Sequence, residues 1–181
     1  MVTIEAKFFN RIALAGKWRS IVIHCTESSE REGGARGVAR WFSNPWNPRR
    51  RRWVKGSAHF VCDSKEVICC VPEHRYAYHC RGYNYSSLGI EIVGRAAQTR
   101  EEWLDEYSRP ALFLAAQEAG RLGHLYGVPV HRFLTDVEIR GKVAGLTTHR
   151  DVSRALKIPG GHTDPGPNFP RDEFLEMLEF V

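Results

Sequence analysis

The 181-residue chain contains no apolar run near the roughly 20 residues that cross a bilayer as a helix, so no stable membrane insertion is expected. Its first residues, MVTIEAKFFNR, lack the continuous apolar stretch and small-residue cleavage pattern of a secretory leader, and none is predicted. The five cysteines, Cys25, Cys62, Cys69, Cys70 and Cys80, include no CxxC pair. An odd count without regular spacing speaks against a disulfide framework. Adjacent Cys69 and Cys70 would point to opposite faces of a strand rather than share a metal. No HExxH motif is present, so a metal site here must be assembled by the fold from distant positions. Acidic residues are missing from positions 36–55, which hold seven Lys or Arg and account for the formal net charge of +5. No zinc finger, RNA-binding sheet motif or recognition-helix pattern accompanies that basic stretch, so no nucleic-acid partner is expected.

What is present reads as an α/β domain spanning residues 1–181. Arg19 to His24 is a buried strand around Ile21, Val22 and Ile23, with Phe8, Phe9 and Trp18 as covering side chains. Thr26 to Gly34 reads as a polar loop and Val38 to Phe42 as a helix that ends before Asn44 and Pro45. NPWNPRRRRWVKG then reads as a basic loop. It is either merely solvated or drawn to an anionic polymer or surface, with Trp46 and Trp53 available for stacking. Ser57–Asp63 and Val67–Val71 form a hairpin. Leu88 to Val93 is a strand in which Ile90 and Ile92 share one face and Glu91 projects from the other. Residues 103–126 carry the strongest helical period, through Leu112, Ala115, Ala116, Ala119, Leu122 and Leu125, closed by Gly127 and Pro129. Val130 to Leu134 reads as extended. Thr135 or Asp136 caps a short helix to Arg140 using Glu138, and Arg171–Phe180 forms a last helix packed through Phe174, Leu175 and Leu178. His59 reads equally as a packed or hydrogen-bonded strand histidine or as a site residue, and His124 and His131 as surface, cap or locally hydrogen-bonded histidines.

The stretch GLTTHRDVSRALKIPGGHTDPGPNFP, Gly145 to Pro170, reads as a stiff, poorly helical loop that presents His149, His162 and Asp164. His24 ends the first strand, where open α/β sheets place their sites. Two imidazoles and a carboxylate, from His24, His149 and Asp164, match a zinc site that keeps one position open for water or substrate. From the residues alone, a packed-core or surface role is the default for each histidine. A carboxylate in the apolar strand at Glu91 needs water, a proton or a partner, and this makes it the candidate general base. His162 is a candidate donor to an oxyanion.

Several ordered blocks, IVIHCTE, SAHFV, YHCRGYNYSSLGIEIVG, THRDVSR and GGHTDPGPNFP, resemble those of the zinc-dependent N-acetylmuramoyl-L-alanine amidases. That family includes amidase-type phage lysozymes, bacterial anhydro-muropeptide amidases and peptidoglycan recognition proteins. The resemblance covers about residues 19–178. WFSNP, SAHFV and GGHTDPGPNFP look most like amidase domains of endolysins from phages of actinobacteria. The resemblance implies a central mixed sheet flanked by helices with a zinc cleft at the sheet edge. It implies one Zn2+ held by His24, His149 and Asp164, Glu91 as catalytic glutamate, and His162 where some relatives carry a lysine. His79 and Asn84 match groove positions, while Ala58 stands where the phage lysozyme branch has a tyrosine, which increases the weight on Glu91. Trp46, Trp53, Tyr83 and Tyr85 are candidate platforms for sugar or peptide. The implied substrate is the lactyl–L-alanine amide of peptidoglycan or muropeptides, cleaved by a monomer with no separate wall-binding domain. The protein would be made in a host bacterial cytoplasm and would act at the wall after release. The alternative is a peptidoglycan-binding protein on the same scaffold that does not hydrolyse.

Overall fold

Ile21, Val22 and Ile23 lie at the centre of the molecule in a fully buried strand. A computed structural model describes residues 1–12 and 17–178. In chain order the elements are β1 (Val2–Thr3), β2 (Phe9–Asn10), β3 (Ser20–Cys25), α1 (Gly34–Ser43), β4 (Trp46–Asn47), β5 (Arg52–Trp53), β6 (Phe60–Cys62) and β7 (Val67–Cys69). They continue with β8 (Tyr76–Ala77), β9 (Ser87–Ile92), α2 (Arg100–Trp103), α3 (Ser108–Tyr126), α4 (Asp136–Arg140), β10 (Gly145–Thr148), α5 (His149–Ala155) and α6 (Arg171–Leu178). Six strands form a mixed sheet in the order β1-β7-β6-β9-β3-β10, parallel throughout except for the β6–β7 hairpin.

Alternation along the strands separates two chemistries. On one face Ile21, Ile23, Leu88, Ile90 and Ile92 pack against Leu112, Ala115 and Ala116 of α3 and Phe174 of α6. Each such Leu or Ile side chain contributes on the order of 1.5–3 kcal/mol by leaving water. On the other face Val61, Ile68 and Cys70 meet Ala35, Ala39 and Phe42 of α1. Cys69 and Cys70 fall in opposite clusters, as strand alternation requires. Val22 lies beneath α4 and α5 with Ile139, Val152 and Ala155. Helices therefore cover both faces, and β3, β9 and β10 run in parallel so that their carboxyl ends open together.

The structure departs from the sequence reading at several places. The helix expected over 103–126 is broken at Leu104–Tyr107, where Asp105 Oδ1 accepts from the backbone N–H groups of Tyr107 (3.0 Å) and Ser108 (2.7 Å) and starts α3 afresh. Pro110 is tolerated because it lies in the first turn. Leu125 is exposed, since helical rotation carries it to the side away from Leu112. Val130–Leu134 forms no strand, only a bridge from Phe133 to Leu146. The 44–56 loop contains the β4–β5 hairpin. The stretch from Gly145 to Pro170 contains α5, which Thr148 caps by accepting from Asp151 N–H (3.2 Å). Thr135 and Glu138 form the expected reciprocal cap of α4. In α6, Met177 is more deeply buried than Leu175 or Leu178, and the expected end at Phe180 lies outside the described residues.

Candidate functional site

Parallel pairing of β3 with β10 brings His24 beside the start of α5, where His149 sits. Asp164 reaches both. Its Oδ2 lies 3.0 Å from His24 Nδ1 and its Oδ1 lies 3.2 Å from His149 Nδ1. Potential ligand atoms of the three buried side chains fall within 4.8 Å of one another. The loop that carries Asp164 is tied to α5 by Arg150 N–H donating to Asp164 O (2.8 Å) and His162 N–H donating to Ser153 Oγ (3.1 Å). It also needs Gly166, at φ 102°, because a Cβ there would run into the Ala96 carbonyl.

The hydrogen bonds behind His24 determine which of its nitrogens faces Asp164. Ser87 Oγ donates to Tyr83 O (2.8 Å), so towards His79 it can only accept. His79 Nε2–H therefore points at Ser87 Oγ (3.2 Å) and Ser87 O (3.3 Å), which leaves His79 Nδ1 to accept from His24 Nε2–H (2.9 Å). Burial lowers His79 and brings His24 down to about 4, against the pull of Asp164, so both rings are neutral at pH 7. His24 thus turns an unprotonated nitrogen towards a carboxylate. Burial alone would raise the Asp164 carboxyl, but the imidazoles around it, His149 and His162 foremost, hold it well below the ordinary carboxylate range. Lone pairs facing one another at this distance need a cation between them. Two imidazoles and one carboxylate are a donor set that a divalent zinc-like ion accepts.

Glu91 pairs in register with His24 across β3 and β9 and faces the same cleft. Its Oε2 is buried without a hydrogen-bond partner. Burial, then the neighbouring Asp164 and Glu27 carboxylates, raises Glu91 well above the ordinary range. Within one cleft of about 740 Å³ a carboxylate placed to hold a cation therefore stands beside a carboxyl of raised proton affinity. His162 stacks on His149, with centroids 4.2 Å apart and planes 16° apart, and places Nδ1 3.5 Å from Asp164 Oδ1. Interaction with Asp164 raises the His162 imidazole against a smaller effect of burial. Its largely exposed ring borders both this cleft and a neighbouring cavity of about 320 Å³.

A family model for N-acetylmuramoyl-L-alanine amidases matches residues 14–167. The chain belongs to that family. It is 24% identical over 157 residues to N-acetylmuramoyl-L-alanine amidase A of Achromobacter lyticus, covering 81% of this chain and 78% of that protein. Its fold is similar to that of the Staphylococcus aureus hydrolase AmiA in complex with its ligand, with a TM-score of 0.69 and 16% identity over 98% of this chain and 82% of the other. A mutant endolysin from Bacillus subtilis gives a TM-score of 0.63 and 19% identity over 98% and 97% of the two chains.

The remaining groups sort by position within this amidase fold. His79 borders both cavities, but its ring nitrogens are committed to His24 and Ser87. Gly89 makes room for that ring, since a Cβ there would lie 2.6 Å from His79 Nδ1. Asn84 Oδ1 accepts from His79 N–H (3.0 Å) and Cys80 N–H (2.7 Å) and so shapes the loop that carries His79. Tyr83 is buried with its hydroxyl donating to Ile139 O (2.8 Å), and Tyr85 is exposed against Tyr76. Tyr83, Tyr85, Trp46 and Trp53 border neither cavity; the tryptophan that lines the larger cleft is Trp41 on α1, together with Lys55 and Arg31. Glu27 was also missed. It sits at φ 54°, in the left-handed region, and accepts from Ala96 N–H (3.0 Å), bracing the segment on which Gly166 packs. The strongest sequence signal for Trp41 was its place one turn from Val38 on an amphipathic helix.

Proposed function

We propose that the protein hydrolyses the amide joining the lactyl group of N-acetylmuramic acid to the L-alanine of the stem peptide in bacterial peptidoglycan, with one zinc ion held by His24, His149 and Asp164. The reading is carried by the unprotonated His24 Nδ1 facing the Asp164 carboxylate at 3.0 Å, beside an unpartnered Glu91 in the same cleft. Zinc bound by this donor set supplies a Lewis acid that polarises the lactyl carbonyl and acidifies water. Glu91 takes the proton of the attacking water and returns it to the departing amine, and a carboxyl of raised proton affinity suits both transfers. His162, whose proton affinity Asp164 raises, donates to the carbonyl oxygen as it gains negative charge. His79 and Ser87 hold His24 in the tautomer that leaves Nδ1 free. The proposed monomer serves phage-driven lysis, reaching the wall after release from the host cytoplasm. The likeness of the blocks WFSNP, SAHFV and GGHTDPGPNFP to amidase domains of endolysins from phages of actinobacteria supports that role.

Purified protein is incubated with defined muropeptides, stripped by chelator and reloaded with zinc, and the products are weighed by mass spectrometry. Release of an intact stem peptide from the lactyl sugar, lost on chelation and restored by zinc, is expected. Binding without cleavage by fully zinc-loaded protein would replace this reading with a recognition protein.

A further inference from the structure

The chain pairs many of its arginines closely with carboxylates. Arg36 joins Glu66, Arg100 joins Asp172, Arg121 joins Glu73 and Glu118, and Arg132 joins Glu138. The β4–β5 hairpin instead concentrates four consecutive arginines without such a partner. Arg49, Arg50, Arg51 and Arg52 are all exposed, and among the described residues none of them forms an ion pair. The hairpin is held in shape despite this repulsion. Trp46 pairs with Trp53 across the strands with rings edge to face at 5.3 Å, and Arg50 N–H donates to Asn47 Oδ1 (3.0 Å). Phe8 packs on Trp53 at 6.2 Å, and the Lys7 ammonium adds another charge 3.6 Å from a Trp53 ring centroid. At its C-terminal end the hairpin runs through Val54 and Lys55 directly into the cleft wall.

We propose that this hairpin docks a phosphodiester-linked anionic glycopolymer of the bacterial wall, holding the enzyme on the sacculus whose amides the cleft cuts. The inference rests on the amidase reading only in placing polymer and substrate on one sacculus. Guanidinium forks bind pairs of phosphate oxygens, and consecutive unpaired arginines suit charges repeated along a chain. The free carboxylates of stem peptides are more widely dispersed than that. Trp46 and Trp53, 43% and 41% exposed, leave apolar ring surface for the sugar or polyol between phosphates. An anionic membrane is the less favoured partner, because both rings are engaged with each other, Phe8 and Lys7 rather than free to insert.

The full chain is tested by cosedimentation with purified sacculi, before and after hydrofluoric acid removes their phosphodiester-linked polymers. Extraction is expected to weaken binding by roughly tenfold or more, and added salt to weaken what binds untreated sacculi. The variant carrying Arg49→Gln, Arg50→Gln, Arg51→Gln and Arg52→Gln is expected to bind both preparations at the extracted level while cleaving a soluble muropeptide at the parental rate. Equal binding before and after extraction, or undiminished binding by the variant, overturns the proposal. So does stronger binding to phosphatidylglycerol vesicles than to untreated sacculi. Polymer-dependent binding without cleavage of any muropeptide leaves the docking surface standing and overturns the amidase reading instead.

Discussion

Buried polar groups at the middle of the sheet and at its carboxyl end are treated in opposite ways. In the middle, His59 accepts from Gly89 N–H (3.0 Å) and donates to Arg75 O (3.1 Å), so both ring nitrogens are satisfied by backbone. Asp63, in the turn just past β6, is likewise met by backbone, accepting from the N–H groups of Ala35, Lys65 and Glu66 and tying α1 to the hairpin of β6 and β7. At the carboxyl end, His24 and Asp164 turn acceptors towards each other, and one oxygen of Glu91 has no partner. A satisfied buried group specifies structure, whereas acceptors turned on one another beside an unpaired carboxyl oxygen are poised for chemistry. Substitutions at the two places should separate stability from activity.

The largest effect is expected at Asp164. Asp164→Asn removes the charge that offsets the cation, so the protein should lose its zinc on dialysis and its muropeptide cleavage with it. Metal analysis beside turnover checks this, and a variant that retains stoichiometric zinc would show that the ligand set is drawn wrongly. Glu91→Gln comes next. Retained zinc with kcat lower by about 10²–10⁴-fold is expected for loss of the proton carrier, read from initial rates on a saturating muropeptide. A Glu91→Gln enzyme with parental kcat would move general-base catalysis elsewhere in the cleft.

The legible part of this contrast came from local period. Alternation in β9 put Glu91 on the face opposite Ile90 and Ile92, the β-branched run put His24 at a strand end, and Leu146–Thr148 delivered His149. Thr135 and Glu138 announced their own cap. What stayed hidden depended on contacts between distant segments or on side chains that override a period. Asp105 restarts α3 inside a continuous helical pattern, and Thr148 caps a helix in a stretch dominated by later glycines and prolines. His79 was legible as a groove residue but not as the partner of His24, because that bond spans 55 residues and depends on Gly89 being without a side chain. Trp41 was overshadowed by Trp46 and Trp53 in a more conspicuous basic segment.

The Gly89–His79 contact offers a smaller and sharper perturbation. Gly89→Ala places a Cβ where the His79 ring lies, so His79 must give up its acceptor position behind His24. The ligand itself stays. Zinc affinity is expected to weaken by about 10–100-fold, the range found for partners that orient a ligand, while kcat at saturating zinc changes far less. Competition with a chromophoric chelator at pH 7 measures the affinity. A change within twofold would mean that His24 is oriented without His79.

The smallest effect separates the middle of the sheet from its end by pH. Burial lowers His59 and His24 to about 4 in the folded chain, whereas an unfolded histidine titrates near 6.5. Between these values the unfolded chain binds more protons, so stability is fully present above about pH 6.5 and declines as pH falls towards 4. For metal-free protein the loss from pH 6.5 to pH 5 is about 1.6 kcal/mol for each of the two histidines. His59→Gln keeps an acceptor for Gly89 N–H and a donor for Arg75 O but cannot titrate. Denaturant midpoints of the two metal-free proteins should therefore converge as pH falls, the variant losing about 1.6 kcal/mol less over that range. Parallel curves would show that His59 titrates alike folded and unfolded, and the pH dependence would then belong to the carboxyl end of the sheet alone.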